Sequence, residues 1–595
     1  YIMHTNDKLK ALREEMLVHG VDAMIIPTGD PHQNEYLPEF YKSRAWVSGF
    51  TGSAGTAVVT KDHAGVWTDS RYFLQAEIQF ADSEFELHKL VIQGAPEYAD
   101  WLADTLGAKS VVGFDANVMP LGLVDTLIEK FEAKDIQLKT DFEPFGKIWK
   151  DRPGLSREPI FEHDVKYAGR SRQEKIASIR EEMKKHGADY YLVTALDDIA
   201  WLLNLRGRDI ECNPVFISYV LFSPEKVYLF IDGNKVNAEL QQSLEDDNIA
   251  IKSYDAIRHY VAEIDKQSSI LISPASLSYG LYKKIGTDTI IRKDSPIMHA
   301  KSLKNEVEQR HVRHAMIKDG RALAHFFIWL EEALGQGETP TEYDLTRKLI
   351  EFRSQQEGYY GESFDAIIGY KGNGAIIHYK PEEETAAAVR PNGVLLVDSG
   401  GQYNDGTTDI TRTIALGPVS DEIKDHYTRV LKGHIAVADV IFPKGTRGIQ
   451  LDTLARQFLW QTGITYNHGT GHGVGFFLNV HEPPQGIANG LGERGVTVIL
   501  PGTLTSNEPG YYKKDSHGIR TENLVICHEV EGNPDFLYFE TVTLFPIDKT
   551  MIDISIMSPS ETKWLNDYHQ KVYRELAPGL DDKARKWLEA KCTAL

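Results

Sequence analysis

The sequence predicts an α/β (α+β) chain with two duplicated α/β domains at the front and a larger third domain ending in a helical tail. Three observations carry this. The 595 residues exceed what a single hydrophobic core organises. An internal echo links "LREEMLVHGVDAMIIPT" from Leu12 with "IREEMKKHGADYYLVTA" from Ile179. Each copy has a helical pattern running into His-Gly and then an apolar strand. Beyond the second copy the repeat stops, and a long helical pattern with Val307, Ala315 and Met316 on one face opens the rest.

The echo continues through "WVSGFTGS" from Trp46 and "WLLNLRG" from Trp201, and through strands ending at Asp69 ("GVWTD") and Asp232 ("VYLFID"). The first copy carries about a dozen extra loop residues. Two copies imply duplicated domains rather than a solenoid, which needs three or more short units. The Pro- and charge-rich "KIWKDRPGLSREPIF" marks the first linker and "SPIMHAKSLKNEVEQ" the second boundary. The expected domains are 1–155, 156–300 and 301–595, with the tail from about 548. That tail reads as two helices. The first has a Ser558-Pro559-Ser560-Glu561 capping signal and Trp564, Tyr568, Val572 and Leu576 at steps of four.

A hydrophobic content of 42% and a charged content of 25% are those of an ordinary soluble globular protein. The net charge of −21 argues against nucleic acid, whose phosphates need clustered Lys and Arg. Cys212, Cys527 and Cys592 are sparse and odd in number, which fits a reducing compartment without a disulfide frame or a thiolate metal site. No apolar run approaches the roughly 18 residues of a membrane span. The opening "YIMHTNDKLK" lacks a signal-peptide core, so a cytoplasmic location is expected; Tyr1 reads as a processed end, with Met3 a candidate native start.

The chemistry concentrates in the third domain. "DSGGQYNDGTTDITRT" places Asp398 at the end of the apolar strand 393–397. An Asn404-Asp405-Gly406 turn signal follows, and Asp409 opens the return strand. A buried carboxylate without a cation is costly. Downstream lie "HGTGHGVGFFLNVHE" with His468, His472 and His481, "TLTSNEPGYY" with Glu508 at a Pro-Gly turn, and "HGIRTENLVI". In the last, Arg520 and Glu522 are expected on one face of a single strand. Four carboxylates and one imidazole carry too much negative charge for one ion but suit two divalent cations. The oxygen-rich set favours Mn²⁺ and accepts Co²⁺, Fe²⁺ or Zn²⁺. "GTGHGVG" has neither the GxGxxG spacing nor the P-loop lysine of a nucleotide loop.

Taken in order, "LLVDSGGQYNDGTTDITRT", "HGTGHGVGFFLNVHE", "NEPGYY" and "GIRTENL" resemble the proline-peptidase family with the pita-bread fold. "GSAGTAVVT", "TALDDIAWLLNLRG", "NPVF" and "GAIIHYKP" extend the likeness over nearly the whole chain, to the three-domain, eukaryotic-type Xaa-Pro aminopeptidase subgroup. The resemblance implies two creatinase-like front domains and a catalytic pita-bread domain. It implies a dimetal exopeptidase that cuts the N-terminal Xaa-Pro bond of peptides, with a hydroxide between the metals as nucleophile. By that pattern Asp398 binds one metal, Asp409 and Glu522 bridge both, and His472 and Glu508 bind the second. Glu508 takes the water's proton, His481 shuttles a proton, and His378 hydrogen-bonds substrate. His468, Tyr512 and Arg520 line the proline pocket; alternatively Arg520 orients Glu522. A homodimer, with the first domain in the contact, also follows from the resemblance.

The rivals are few. A prolidase shares the ligands but cuts only Xaa-Pro dipeptides, and the duplicated front and long tail favour the aminopeptidase. Methionine aminopeptidase leaves the front half unexplained, and creatinase does not need the metals. A metal-free peptide-binding module with this fold predicts missing ligands, whereas all five are present. The loop "LRGRDIECNPV" of the second copy reads either as a limit on substrate size or as an ordinary loop.

Overall fold

The structure is a computed structural model that describes residues 2–595; Tyr1, read above as a processed end, lies outside the described residues. The chain forms two compact units: one holds residues up to 162 together with 170–297, the other 163–169 together with 298–595.

The first unit contains two six-stranded sheets of identical topology. Numbered within each copy, the strands run 4-3-2-1-5-6 across the sheet. The first strands of the two copies are Ala23–Ile26 and Tyr190–Val193, each antiparallel to its second strand and parallel to its fifth. The sequence echo dictates this directly. Helices Thr5–Val18 and Arg172–Lys185 both end in His-Gly, and Gly20 and Gly187 take φ of 67° and 68°. A residue with a Cβ is strained there, so glycine ends the helix and turns the chain into the strand. Leu9, Leu12 and Met16 in one copy, and Ile179 and Met183 in the other, bury the apolar helix face.

The second unit is built around another six-stranded sheet. Its order is Ile441–Pro443, Asn533–Thr541, Asn523–Val530, Leu504–Asn507, Gly471–Gly473, Glu482–Ile487. Smaller sheets pair Ile367–Tyr370 with Val394–Ser399 and Ile410–Ala415, and Gly510–Lys513 with His517–Arg520. Helices Glu306–Gly335, Asp421–Asp439 and Gly448–Trp460 contribute to the cores of this unit. The tail helix Pro559–Leu576 is capped by Ser558 and Glu561 in a reciprocal capping box. Of the predicted stripe, Tyr568, Val572 and Leu576 are buried in the core of the unit beside Leu565, and Trp564 is partly buried against it.

One expectation about strands changes and one holds. The ladder between Val394–Ser399 and Ile410–Ala415 sets Asp398 opposite Thr411, so Asp409 is its diagonal neighbour and the two aspartates are close without being directly opposed. The turn falls at Asn404-Asp405, between paired Tyr403 and Gly406, where the sequence signalled it. "HGIRTENLVI" is two strands, His517–Arg520 and Asn523–Val530, in different sheets. The cause lies across the ladder: Pro509 has no N–H to donate, so pairing stops on both sides and resumes in the same register. That register sets Glu508 opposite Glu522 in the gap.

Candidate metal centre

Four local devices bring the acidic residues together. The hairpin register puts Asp398 and Asp409 on one face. The gap opposite Pro509 frees Glu508 and Glu522 from ladder duty. Glu522 is pinned by a lone bridge to Thr411, whose carbonyl accepts the Glu522 N–H at 3.1 Å and whose hydroxyl donates to Glu522 Oε1 at 2.8 Å. His472 sits on a three-residue strand pressed between two neighbours: a Cβ on Gly471 would lie 1.9 Å from Ser506 O, and one on Gly473 2.2 Å from Glu482 O. Gly471 and Gly473 of "GTGHGVG" are therefore a packing requirement rather than a phosphate cradle.

One ligand atom from each of Asp409, His472, Glu508 and Glu522 lies within 4.8 Å of all the others. His472 Nδ1–H donates to the Gly473 carbonyl at 2.8 Å. That leaves Nε2 facing Asp409 Oδ2 at 3.2 Å and Glu508 Oε2 at 3.4 Å. Asp398 stands outside this group of four. Its Oδ2 accepts from Arg520 Nη2 at 2.7 Å and Nε at 3.2 Å. Arg520 Nε also lies 3.3 Å from Thr411 Oγ1, the hydroxyl that donates to Glu522 Oε1, so the guanidinium clasps Asp398 directly and reaches Glu522 only through Thr411.

The guanidinium reaches further. Arg520 Nη1 donates to the Tyr512 hydroxyl at 2.7 Å, which donates in turn to His468 Nε2 at 2.7 Å. His468 Nδ1–H is fixed on the Gly469 carbonyl, and Arg456 holds the His468 carbonyl. The three predicted pocket residues thus form one chain ending on Asp398. His481 packs edge-to-face on His472, ring centroids 4.4 Å apart. His378 is half-buried in the turn after the 3₁₀ segment Lys371–Ala375. Gly374 of that segment touches Gly518 so closely that a Cβ on Gly518 would meet Gly374 O at 1.7 Å.

The electrostatics express an excess of negative charge. Burial, reinforced by Asp409 and Glu508, pushes Asp398 up to about 7 despite Arg520. Burial and the same neighbours, with Asp398, raise Glu522 well above the usual carboxylate range. Burial also opposes ionisation of Glu508, but hydrogen bonding to Glu522 and His472 outweighs it and holds Glu508 well below its ordinary value. The two neighbouring carboxyls are thus driven in opposite directions, Glu522 up and Glu508 down. Against its burial, His472 is raised to about 10 by hydrogen bonds to Asp409 and Glu508, becoming the only cation available within the cluster of four. Asp398 Oδ1 and Glu522 Oε2 are buried and find no donor among the described residues. This donor set fits a pair of divalent cations: four carboxylates balance two double charges, the oxygens are hard, and the orphaned atoms lack another partner.

Several supporting residues escaped sequence reasoning. Thr411 holds Glu522, Arg412 caps the Glu522 carbonyl at 2.9 Å, and Ser506 Oγ accepts the His472 N–H at 2.9 Å. The signal for the first two was present in the alternating "DITRT", where the residues between Asp409 and Thr413 point at the neighbouring strand.

Comparison with known proteins adds the family. The chain matches the creatinase/prolidase N-terminal domain over 8–144 and again over 151–308. It matches metallopeptidase family M24 over 310–529 and the C-terminal region of that peptidase over 535–595. It is 42% identical to a probable Xaa-Pro aminopeptidase P of Laccaria bicolor, across 100% of this chain and 94% of that one. It is 40% identical to aminopeptidase P2 of Arabidopsis thaliana, across 96% and 85%. The crystal structure of X-prolyl aminopeptidase from Caenorhabditis elegans, described as a cytosolic enzyme with a di-nuclear active site, superposes with a TM-score of 0.95 at 34% identity, covering 100% of both chains. The chain belongs to metallopeptidase family M24, with the Xaa-Pro aminopeptidases that these relatives represent.

Proposed function

We propose that this chain removes the N-terminal residue from peptides carrying proline at the second position, with two divalent cations held by Asp398, Asp409, His472, Glu508 and Glu522. One observation carries the reading: buried Asp409, His472 and Glu522 converge with half-buried Glu508, while Asp398 Oδ1 and Glu522 Oε2 find no donor among the described residues. Two divalent ions in such a site supply Lewis acidity and a lowered pKa for the attacking water.

The remaining work falls to side chains. Glu508 accepts the proton of the attacking water, and His481, packed on His472, passes a proton to the departing proline nitrogen. His378 donates to the substrate carbonyl oxygen as it gains charge. The His468–Tyr512–Arg520 chain forms the wall against the proline ring. Proline lacks an N–H and has a fixed φ, so an enzyme that reads substrate as a hydrogen-bonded strand loses a contact there. A shaped wall turns the same ring into the recognition element. Arg520 spans wall and site, coupling proline docking to the position of Asp398.

Mn²⁺ is the proposed ion on the strength of the oxygen-rich donor set. A cytoplasmic homodimer of three domains, 1–155, 156–300 and 301–595, completes the reading. The C. elegans relative is described as cytosolic. The test is hydrolysis of an Xaa-Pro-Pro tripeptide beside an Xaa-Pro dipeptide by metal-stripped protein with Mn²⁺, Zn²⁺ or Co²⁺ restored separately. Metal-dependent cleavage of the tripeptide alone is expected. Cleavage of the dipeptide alone would make the chain a prolidase and overturn the exopeptidase reading.

A further inference from the structure

The first sheet carries a second cluster of metal-ligating side chains, remote in sequence from the third domain. His63 closes the tight turn Thr60–His63, whose backbone is fixed by Thr60 N–H on the His63 carbonyl at 2.8 Å and by His63 N–H on Thr60 Oγ1 at 3.0 Å. Glu86 and His88 lie on the neighbouring edge strand Glu86–Lys89, which pairs in parallel with Ala64–Thr68. Side chains two apart on a strand share a face, so Glu86 and His88 project together. One ligand atom from each of His63, Glu86 and His88 falls within 4.8 Å of the others.

The arrangement is held from several sides. The two imidazoles meet Nε2 to Nε2 at 2.8 Å, nearly perpendicular at 85°. His88 lies flat on the Trp67 indole, centroids 3.7 Å apart at 11°, and His63 leans on Trp101 at 4.9 Å. Between the rings the sheet has Gly65: a Cβ there would sit 2.7 Å from His88 Cδ2 and 2.9 Å from His63 Nε2. Its φ is not positive, so the glycine is required by the rings and not by the backbone. Any larger residue would drive the pair apart. Arg13, the neighbouring cation, is engaged elsewhere, on Glu84 at 2.7 Å and the Thr60 carbonyl at 3.0 Å.

We propose that His63, His88 and Glu86 form a third metal site of this chain, selective for an imidazole-preferring divalent ion such as Zn²⁺, which clasps the Thr60–His63 turn to the edge strand. The donor set is two borderline nitrogens and one carboxylate with an open fourth position for water, a set that holds Zn²⁺ more tightly than Mn²⁺. Two Nε2 atoms on one tetrahedral zinc sit roughly 3.3 Å apart, so the rings open by about half an ångström as the ion replaces the hydrogen bond between them. Burial lowers both imidazoles, and the His63 neighbour adds to it at His88, which falls to about 4. Both are therefore neutral near pH 7, the form that ligates. The site contains none of the residues assigned to the peptidase chemistry.

The experiment counts ions. Full-length protein and its His63→Gln/His88→Gln variant are equilibrated with the same series of free Zn²⁺ concentrations, and bound ions per chain are measured. Three for the unmodified chain and two for the variant, with equal peptidase activity, is the expected result; Glu86→Gln weakens the third equivalent about tenfold. Equal counts in both chains overturn the proposal. A second measurement needs no variant. Zn²⁺ should protect His63 and His88 from acylation by diethyl pyrocarbonate, and identical labelling of the two residues with and without Zn²⁺ would sink the site.

Discussion

Two buried acidic networks in the second unit differ in one respect, and the difference separates structure from chemistry. In the first, Arg353 grips Asp319 through Nε at 2.9 Å and Nη2 at 3.3 Å, and Glu362 through Nη1 at 3.0 Å. Tyr403 and Tyr359 donate their hydroxyls to Asp319 and Glu362 at 2.8 and 3.0 Å. Every carboxylate oxygen there has a donor. In the second, Asp398 is the one carboxylate that Arg520 clasps, four carboxylates crowd together, and Asp398 Oδ1 and Glu522 Oε2 find no donor among the described residues. The first network is closed by the protein itself. The second closes only with cations from outside, which is why it can do chemistry.

The comparison breaks at its largest point if Glu522 is neutralised. Glu522→Gln should lower kcat by on the order of 10³-fold or more, with metal occupancy falling alongside. The metal-free variant should be at least as stable as metal-free parent, because the amide removes one of the crowded buried carboxylates whose ionisation burial and its neighbours oppose. Unchanged occupancy would remove Glu522 from the ligand set. The mirror experiment is Arg353→Met. It strands two buried carboxylates and should cost about 3–5 kcal/mol of stability in denaturant titration, with kcat of the folded enzyme kept. Loss of kcat without loss of stability would erase the distinction between the networks.

Arg520→Lys sharpens the contrast more gently. Lysine keeps the charge but cannot hold Asp398 through two nitrogens and Tyr512 through a third. Metal affinity should fall about 10- to 100-fold, and KM for a proline substrate should rise with it; a change in neither would reduce Arg520 to scaffolding.

The effect that is smallest at neutral pH concerns an uncharged buried group. His569 of the tail helix accepts the Ile547 N–H at 3.0 Å, and burial lowers its pKa to about 3. The unfolded chain binds a proton near 6.5, so this contribution is complete above pH 6.5 and is lost as pH falls from there toward 3. Each pH unit in that window costs up to about 1.4 kcal/mol. His569→Gln should lower the proton uptake on acid unfolding by one; an unchanged pH slope would contradict the buried neutral imidazole.

How much of this was legible in the sequence depended on how local the cause was. The duplicated helix–Gly–strand unit was readable because capping and periodicity are local, and the Asn404-Asp405 turn for the same reason. The ligand residues were readable as types in an order. What escaped is what two distant segments decide together. Pro509 interrupts the ladder beyond Arg520, so one expected strand became two. Thr411 reaches Glu522 across 111 residues of chain, a pairing no spacing rule anticipates. The His63–His88 pair was passed over because 25 residues separate them and only the parallel edge strand unites them.

The central claim is that the carboxylate excess of the second unit is a two-cation site. It is tested most directly by adding Mn²⁺ stepwise to metal-stripped His63→Gln/His88→Gln protein, so that the front cluster contributes nothing, while following bound ions and Xaa-Pro-Pro hydrolysis together. The account predicts that activity rises to a plateau as the second equivalent binds. Full activity in the stripped protein, or a plateau with only one ion bound, would contradict it.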